Sequence, residues 1–464
     1  MSGWTTLKNL VKGEIKQREE EGCNVEGFYE RFEKIGEDEK QLMSFYNELA
    51  CLEISKDFPF YEPIELEEIR KSRDAGTRKF NISESEDQLK DRFNGAWLGR
   101  SIGCALGKPI EYGDYMGGSN GRPGWKNVEL WFKGANAWPI SNYAPTTSTA
   151  KEEFGLNISM ESKDSLLENI KFMETDDDIR YTVLGLKLLE EKGLDWDSWD
   201  LGKFWLENLP YQMLCTAEIQ AYLNFSTITN HSEVKPDNWK EQINWVRTHI
   251  NPYREWIGAQ IRVDGYAYGA AGNPELAAEL AYKDAAFSHV KNGVYGAMFF
   301  SAVISAAFVE KDIDKLIEIG LSQIPNNSRL YHDLKKAIKI GKEAKDQLEL
   351  ADNVYEAFKH YHCVHTNNNA ALCVASLVFA KGDFEKAITT AVMGWDTDCN
   401  GATVGSIMGA LVGAKNIPEK WSKPLNDTLY SAILGFHPIA ISECAQRSYN
   451  VFNKIRNSSS NRLI

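Results

Sequence analysis

The stretch Gly394-Trp395-Asp396-Thr397-Asp398-Cys399-Asn400-Gly401 runs directly into Ala402-Thr403-Val404-Gly405-Ser406-Ile407-Met408-Gly409-Ala410-Leu411-Val412-Gly413. The second half reads as a small-residue helix. Two carboxylates one residue apart, after the apolar run Ala387 to Met393, then sit at or near its N-terminus, a position that suits a metal or a phosphate. Glycines recur at 401, 405, 409 and 413. Each costs a helix about 1 kcal/mol relative to alanine, so close approach of another backbone is the expected compensation.

A second stripe supplies the partner. In Asn94-Gly95-Ala96-Trp97-Leu98-Gly99-Arg100-Ser101-Ile102-Gly103-Cys104-Ala105-Leu106-Gly107-Lys108-Pro109-Ile110-Glu111 the glycines again fall every fourth residue, and Gly107 with Pro109 is a helix stop. Antiparallel packing of the two stripes puts the C-terminal end of the first beside the N-terminal end of the second. Glu111 then faces Asp396 and Asp398.

Composition bounds the rest. The chain has 464 residues and a formal net charge of -14, without a basic run or stripe, which argues against nucleic-acid and anionic-membrane partners. No apolar run reaches the ~18 residues of a membrane span, and Met1 to Leu10 lacks the pattern of a signal peptide. The expectation is a soluble, cytoplasmic protein. Its eight cysteines form no Cys-x-x-Cys pair and read as reduced core thiols.

Helical patterns outnumber strand signals throughout, so the fold class is all-α, a compact multi-helix bundle with a helical extension. Residues 1–85 are charged and helix-favouring, with Pro59 and Pro63 closing a helical pair; this segment is expected to pack on the main domain or to mediate a homo-oligomer. Residues 86–455 form the main domain, and 456–464 a short flexible tail. Within the domain, residues 112–150 read as a Gly/Pro/aromatic loop, whose Tyr143 either contacts a ligand or covers the core. Thr175-Asp176-Asp177-Asp178 opens a helix, which explains one or two of its acids by capping but not the whole cluster. Arg262 to Glu275 reads as a Gly-rich loop without a dinucleotide fingerprint. Gly269, Gly272 and Asn273 of that loop are candidate substrate contacts, as is His289, whose position near a helix C-terminus the dipole alone also favours.

Asp176, Asp177, Asp396, Asp398 and Glu111 carry five negative charges with no accompanying run of Lys or Arg. Two divalent cations nearly balance them, and oxygen ligands such as these carboxylates and Thr175 suit Mg²⁺ ahead of Mn²⁺ or Ca²⁺.

These segments together resemble the ADP-ribosylglycohydrolase family. The resemblance rests on the Gly-Ala-x-x-Gly helix leading to Leu-Gly-x-Pro-x-Glu at 106–111, Thr-Asp-Asp at 175–177, Gly-x-Asp-Thr-Asp at 394–398 and the small-residue helix behind it. It covers roughly residues 90–445. It implies a two-metal site with Thr175, Asp176 and Asp177 on one side and Asp396, Asp398 and the residue at 399 on the other. Glu111 matches the acid beside the scissile bond, and Asp177 and Asp396 share the catalytic assignment. The implied reaction is hydrolysis of a glycosidic bond at C1 of a ribose, in an ADP-ribosylated protein or a small ADP-ribose derivative. Three positions depart from the family pattern: Cys399 stands where Ser or Thr is common, Cys104 where Asp is common, and Asp178 where Thr is common. They point to a divergent branch.

Other classes compete. Asp-x-Asp also marks nucleotide-sugar glycosyltransferases and aspartyl-phosphate phosphatases, but both need an α/β sheet around the motif. A non-catalytic relative of the same fold is a further alternative, against which the retained acids speak, and so is a hydrolase of another nucleoside or sugar derivative.

Overall fold

The computed structural model describes residues 4–229 and 234–461. Among them the only sheet is a two-stranded antiparallel pair, Thr428–Leu429 with Ile439–Ala440, and everything else that repeats is helical. The fold is all-α. The helices that frame the site are α1 (Leu7–Glu20), α2 (Glu39–Ala50), α3 (Glu86–Gly107), α4 (Asp177–Lys192), α5 (Lys291–Ala307), α6 (Arg329–Glu343), α7 (Thr366–Ala380), α8 (Thr397–Val412) and α9 (Ile441–Asn461).

At the centre α3 and α8 lie antiparallel with their glycines interlocked. A Cβ added at Gly95 would come 2.2 Å from the Gly409 carbonyl oxygen, at Gly99 2.1 Å from that of Gly405, and at Gly103 1.8 Å from that of Gly401. Gly107 meets Thr397 in the same way, at 2.2 Å. No side chain fits between backbones this close, which is the compensation for seven helix-weakening glycines. Gly413 does a different job: it ends α8 with φ +79°, in the left-handed region that favours glycine. Around this pair α5 and α7 are buried along their whole lengths, so the seam lies in the middle of the core.

Each end of the seam is locally determined. Ser85 and Gln88 form a capping box at the start of α3. At its other end the chain passes into a 3₁₀ turn, Lys108–Ile110, and delivers Glu111. Asp176 caps α4 by accepting from the Asp178 amide at 3.0 Å.

The N-terminal extension docks on the domain through apolar and ionic contacts. Leu10, Val11, Ile15, Phe45, Tyr46 and Leu49 of α1 and α2 bury against Ala217, Ile250 and Tyr253. Beside them Arg254 holds Glu14 through two bonds of 2.7 and 2.9 Å and Glu21 at 3.0 Å. Gln17 donates to Glu255 at 2.8 Å, and Arg329 at the start of α6 bridges Glu255 and Glu62, both at 2.8 Å. The family of buried charges is thus shared between residues before and after position 85.

Several loops expected from the sequence are partly helical. Residues 112–150 contain a helix at Gly124–Gly134, whose Val128, Trp131 and Phe132 are buried, an i, i+3, i+4 pattern that the surrounding Gly and Pro obscure. The 262–275 segment contains a short helix, Asp264–Gly269. The last helix, α9, continues past residue 456 to Asn461, and 462–464 lie outside the described residues. All eight cysteines are free, and among the described residues no helix is long and apolar enough to cross a membrane.

Candidate active site

The acids from three distant segments meet where the glycine seam ends. Ligand atoms of Glu111, Asp396 and Asp398 lie within 4.8 Å of one another, as do those of Asp176, Asp177, Asp178 and Asp398. Asp398 belongs to both groups and joins them. Asp176, Asp178, Asp396 and Asp398 are buried, whereas Glu111 is exposed and Asp177 and Thr175 are half-buried, so the cluster opens to solvent on that side.

Backbone strain and hydrogen bonds hold the Asp-x-Asp arm in place. Gly394 has φ +120° and Trp395 φ +57°, the latter an uncommon conformation for a bulky side chain. The strained turn sets Asp396 at the N-cap of α8, yet its side chain makes no capping bond. Instead Asn369 on α7 takes over: its Oδ1 accepts from the Asp396 amide at 3.1 Å and from Asn400 Nδ2 at 2.8 Å. Thr397 Oγ1 donates to the Gly107 carbonyl at 2.9 Å and ties this arm to the exit of α3. The carboxylates of Asp396 and Asp398 each keep one buried oxygen, Oδ1, without a partner, although buried acceptors are almost always paired.

The opposite arm is filled by the protein's own cations. Lys108 Nζ donates to Asp176 Oδ2 at 2.6 Å and to the Thr175 carbonyl at 3.0 Å. Arg180 reaches Thr175 Oγ1 at 3.2 Å. Arg100, fully buried, pairs with Asp178 and with Asp264, both at 2.9 Å. These basic groups come from separate turns and segments, so no run of Lys or Arg in the sequence announced them. Arg100 alone had a sequence signal, as a lone charge in the Gly95–Gly107 half of α3, otherwise made of small and apolar residues. Lys108 and Asn369 had none.

Proton affinities follow the same division. Burial, then the charge of Asp398, raises Asp396 well above the usual carboxylate range. Asp398 is pushed up to about 7 by burial and by Asp176. The crowded walls around Glu111, then Asp398 and Asp396, raise it as well. Asp176 goes the other way, since Lys108 outweighs its burial. Carboxylates this close titrate together, as one cluster, and a divalent cation among them is the natural relief.

The remaining expected positions fall elsewhere or serve the fold. The Cys399 thiol lies within 4.8 Å of Asp178 and Asp398 oxygens, and burial, with those acids nearby, drives it well above the ordinary thiol range. Tyr143 is fully buried and donates to the Trp421 carbonyl at 2.6 Å; it covers the core. Gly269, Gly272 and Asn273 line a separate hollow of about 260 Å³ with Phe80, Ile82 and Phe452. A Cβ on Gly269 would meet Leu189, near the end of α4 opposite Asp177, roughly 18 Å along that helix. His289 is buried and bonds Ser288 Oγ through Nδ1 at 2.8 Å, and burial together with Arg262 holds it neutral.

Comparison with known proteins places the chain in a family. Residues 85–454 match the ADP-ribosylglycohydrolase family, and the chain belongs to that family. Its function is accordingly of the glycohydrolase type. No curated protein matches. A solved structure titled "ADP-ribosylglycohydrolase-related protein complex" is similar over 79% of this chain and 99% of that one, at 17% identity and a TM-score of 0.47.

Proposed function

We propose that this protein hydrolyses the glycosidic bond at C1 of a ribose in an ADP-ribosylated or ADP-ribose-derived substrate, with a divalent cation, Mg²⁺ or Mn²⁺, bound among its acids. The observation that carries this reading is the meeting of Glu111 with Asp396 and Asp398, the latter two each holding a buried oxygen without a partner. Those oxygens, with the hard carboxylate set around them, fit such an ion. When bound, it supplies Lewis-acid polarisation and fixed positions for ribose hydroxyls and water.

The chain's own residues do the rest. Asp396 and Asp398, set by the strained turn and by Asn369, orient the ribose hydroxyls. Asp177 reaches the solvent side of the cluster and orients water. Glu111 is the exposed acid, on the side open to substrate, and its raised proton affinity lets it hold a proton at the leaving group or take one from water. Separation of charge at C1 is favoured by the carboxylates beneath it, as in other oxocarbenium-like reactions.

The test is a screen with Mg²⁺ and Mn²⁺ against ADP-ribosyl-arginine, ADP-ribosyl-serine, O-acetyl-ADP-ribose and simple nucleosides. One of the first three is expected to be cleaved, with kcat at least about 10²-fold lower for Glu111→Gln. Cleavage unaltered in that variant refutes the role given to Glu111, and cleavage of nucleosides alone refutes the substrate class.

A further inference from the structure

The two arms of the acidic cluster differ in one respect. On the Asp-x-Asp arm the Oδ1 atoms of Asp396 and Asp398 are buried and have no donor. On the Thr-Asp-Asp arm Asp178 Oδ2 is likewise without a donor, but the oxygens of Asp176 and Thr175 are already engaged. Asp176 Oδ2 receives Lys108 and its Oδ1 receives the Asp178 amide. Thr175 Oγ1 receives Arg180, Thr175 O receives Lys108, and Asp178 Oδ1 receives Arg100.

From this we propose that Lys108 is a built-in cation that takes the place of one of the two metal ions the family resemblance implies, so that the protein binds a single divalent ion on the Asp396/Asp398 side. The proposal rests on the metal reading above and specifies its stoichiometry.

Arg100, Lys108 and Arg180 set three positive charges among the seven carboxylates Glu111, Asp176, Asp177, Asp178, Asp264, Asp396 and Asp398. On the Thr-Asp-Asp arm Lys108 and Arg180 together carry the charge of one divalent ion. The lysine is also fixed rather than swinging in from solvent: it opens the 3₁₀ turn directly after Gly107, which is locked against Thr397. Its side chain is 14% exposed. An ammonium is a compact charge with three donors, able to bond a carboxylate and a backbone carbonyl at once, but it polarises no substrate oxygen as a metal does. Lys108 therefore organises Asp176 and Thr175, and acts as a positioning residue rather than a catalytic one.

The experiment counts ions. Metal-free protein is titrated with Mn²⁺, the bound ion is quantified after gel filtration, and low-temperature EPR separates an isolated Mn²⁺ from an exchange-coupled pair. Wild type is expected to bind one Mn²⁺ per chain with an isolated signal. Lys108→Met is expected to bind two with a coupled signal, and Lys108→Arg one. Two ions in wild type, or one ion still in folded Lys108→Met, overturns the proposal. If Lys108→Met does not fold, Lys108→Gln takes its place, and the wild-type count stands on its own. No bound Mn²⁺ in any variant removes the metal reading of the site and this proposal with it, an outcome distinct from a wrong stoichiometry.

Discussion

Adding one methyl group at the centre of the glycine seam, Gly103→Ala, tests the packing on which the site depends. The new Cβ would lie 1.8 Å from the Gly401 carbonyl oxygen. A carbon–oxygen contact needs about 3.3 Å, so α3 and α8 must part by roughly 1.5 Å at that level. The overpacking costs about 1–3 kcal/mol. Stretching the Thr397–Gly107 hydrogen bond adds about 1 kcal/mol, and alanine's better helix propensity returns about 1 kcal/mol. The expected net loss is about 1–3 kcal/mol by urea denaturation with an unchanged m-value. Glu111 hangs on the end of one helix and Asp396 and Asp398 on the start of the other, so Mn²⁺ affinity should fall in the same variant. Gly36→Ala is the control, because nothing lies within 4 Å of a Cβ there. Gly103→Ala within about 0.5 kcal/mol of wild type, the scatter of ordinary surface substitutions, would refute the close-packed seam.

Other outcomes follow from the same structure. Saturating Mg²⁺ or Mn²⁺ should raise the melting temperature of wild type, as binding to the native state alone must, and Asp396→Ala should abolish the rise; an equal rise in both would remove Asp396 from the metal site. Arg254→Met leaves Glu14 buried without its partner, while Glu21 keeps Arg18 at 2.8 Å, and should lose about 3–5 kcal/mol, measured by urea denaturation; a loss under about 1 kcal/mol would mean that the extension is held by its apolar contacts alone. Glu20 is pushed up to about 7 by burial, with Lys16 relieving and Glu255 adding to the effect. A carboxyl raised in the folded state binds its proton more tightly there than when unfolded. Its contribution is therefore favourable below about pH 4.5 and is lost as pH rises towards 7, with a slope of at most about 1.4 kcal/mol per pH unit. Stability curves of Glu20→Gln should lack that slope, and parallel curves for the two proteins would contradict it.

The parts of the site carried by local pattern were legible before any coordinates. Glycine every fourth residue has no local benefit in a helix, so two such stripes announced their mutual packing, and the stop at Gly107 and Pro109 placed Glu111 opposite Asp396 and Asp398. The sequence could not decide the roles of Tyr143, Gly269, Gly272, Asn273 and His289, for the opposite reason. Their residue types suit ligand contact and core packing equally, and only burial separates the two. The helix at Gly124–Gly134 was hidden because glycine and proline at its margins read as loop, whereas its apolar face at Val128, Trp131 and Phe132 wins once there is a core to face.

Spacing along the chain was enough to establish an all-α class, the pairing of α3 with α8 and the convergence of the acids, because helix periodicity and backbone approach are properties of residues near one another in sequence. Charge compensation was decided by the tertiary fold. Lys108 meets Asp176 across 68 positions, Arg100 meets Asp264 across 164, and Arg254 meets Glu14 across 240. Electrostatic energy depends on distance in space and on exclusion of water, and neither is written in the order of residues.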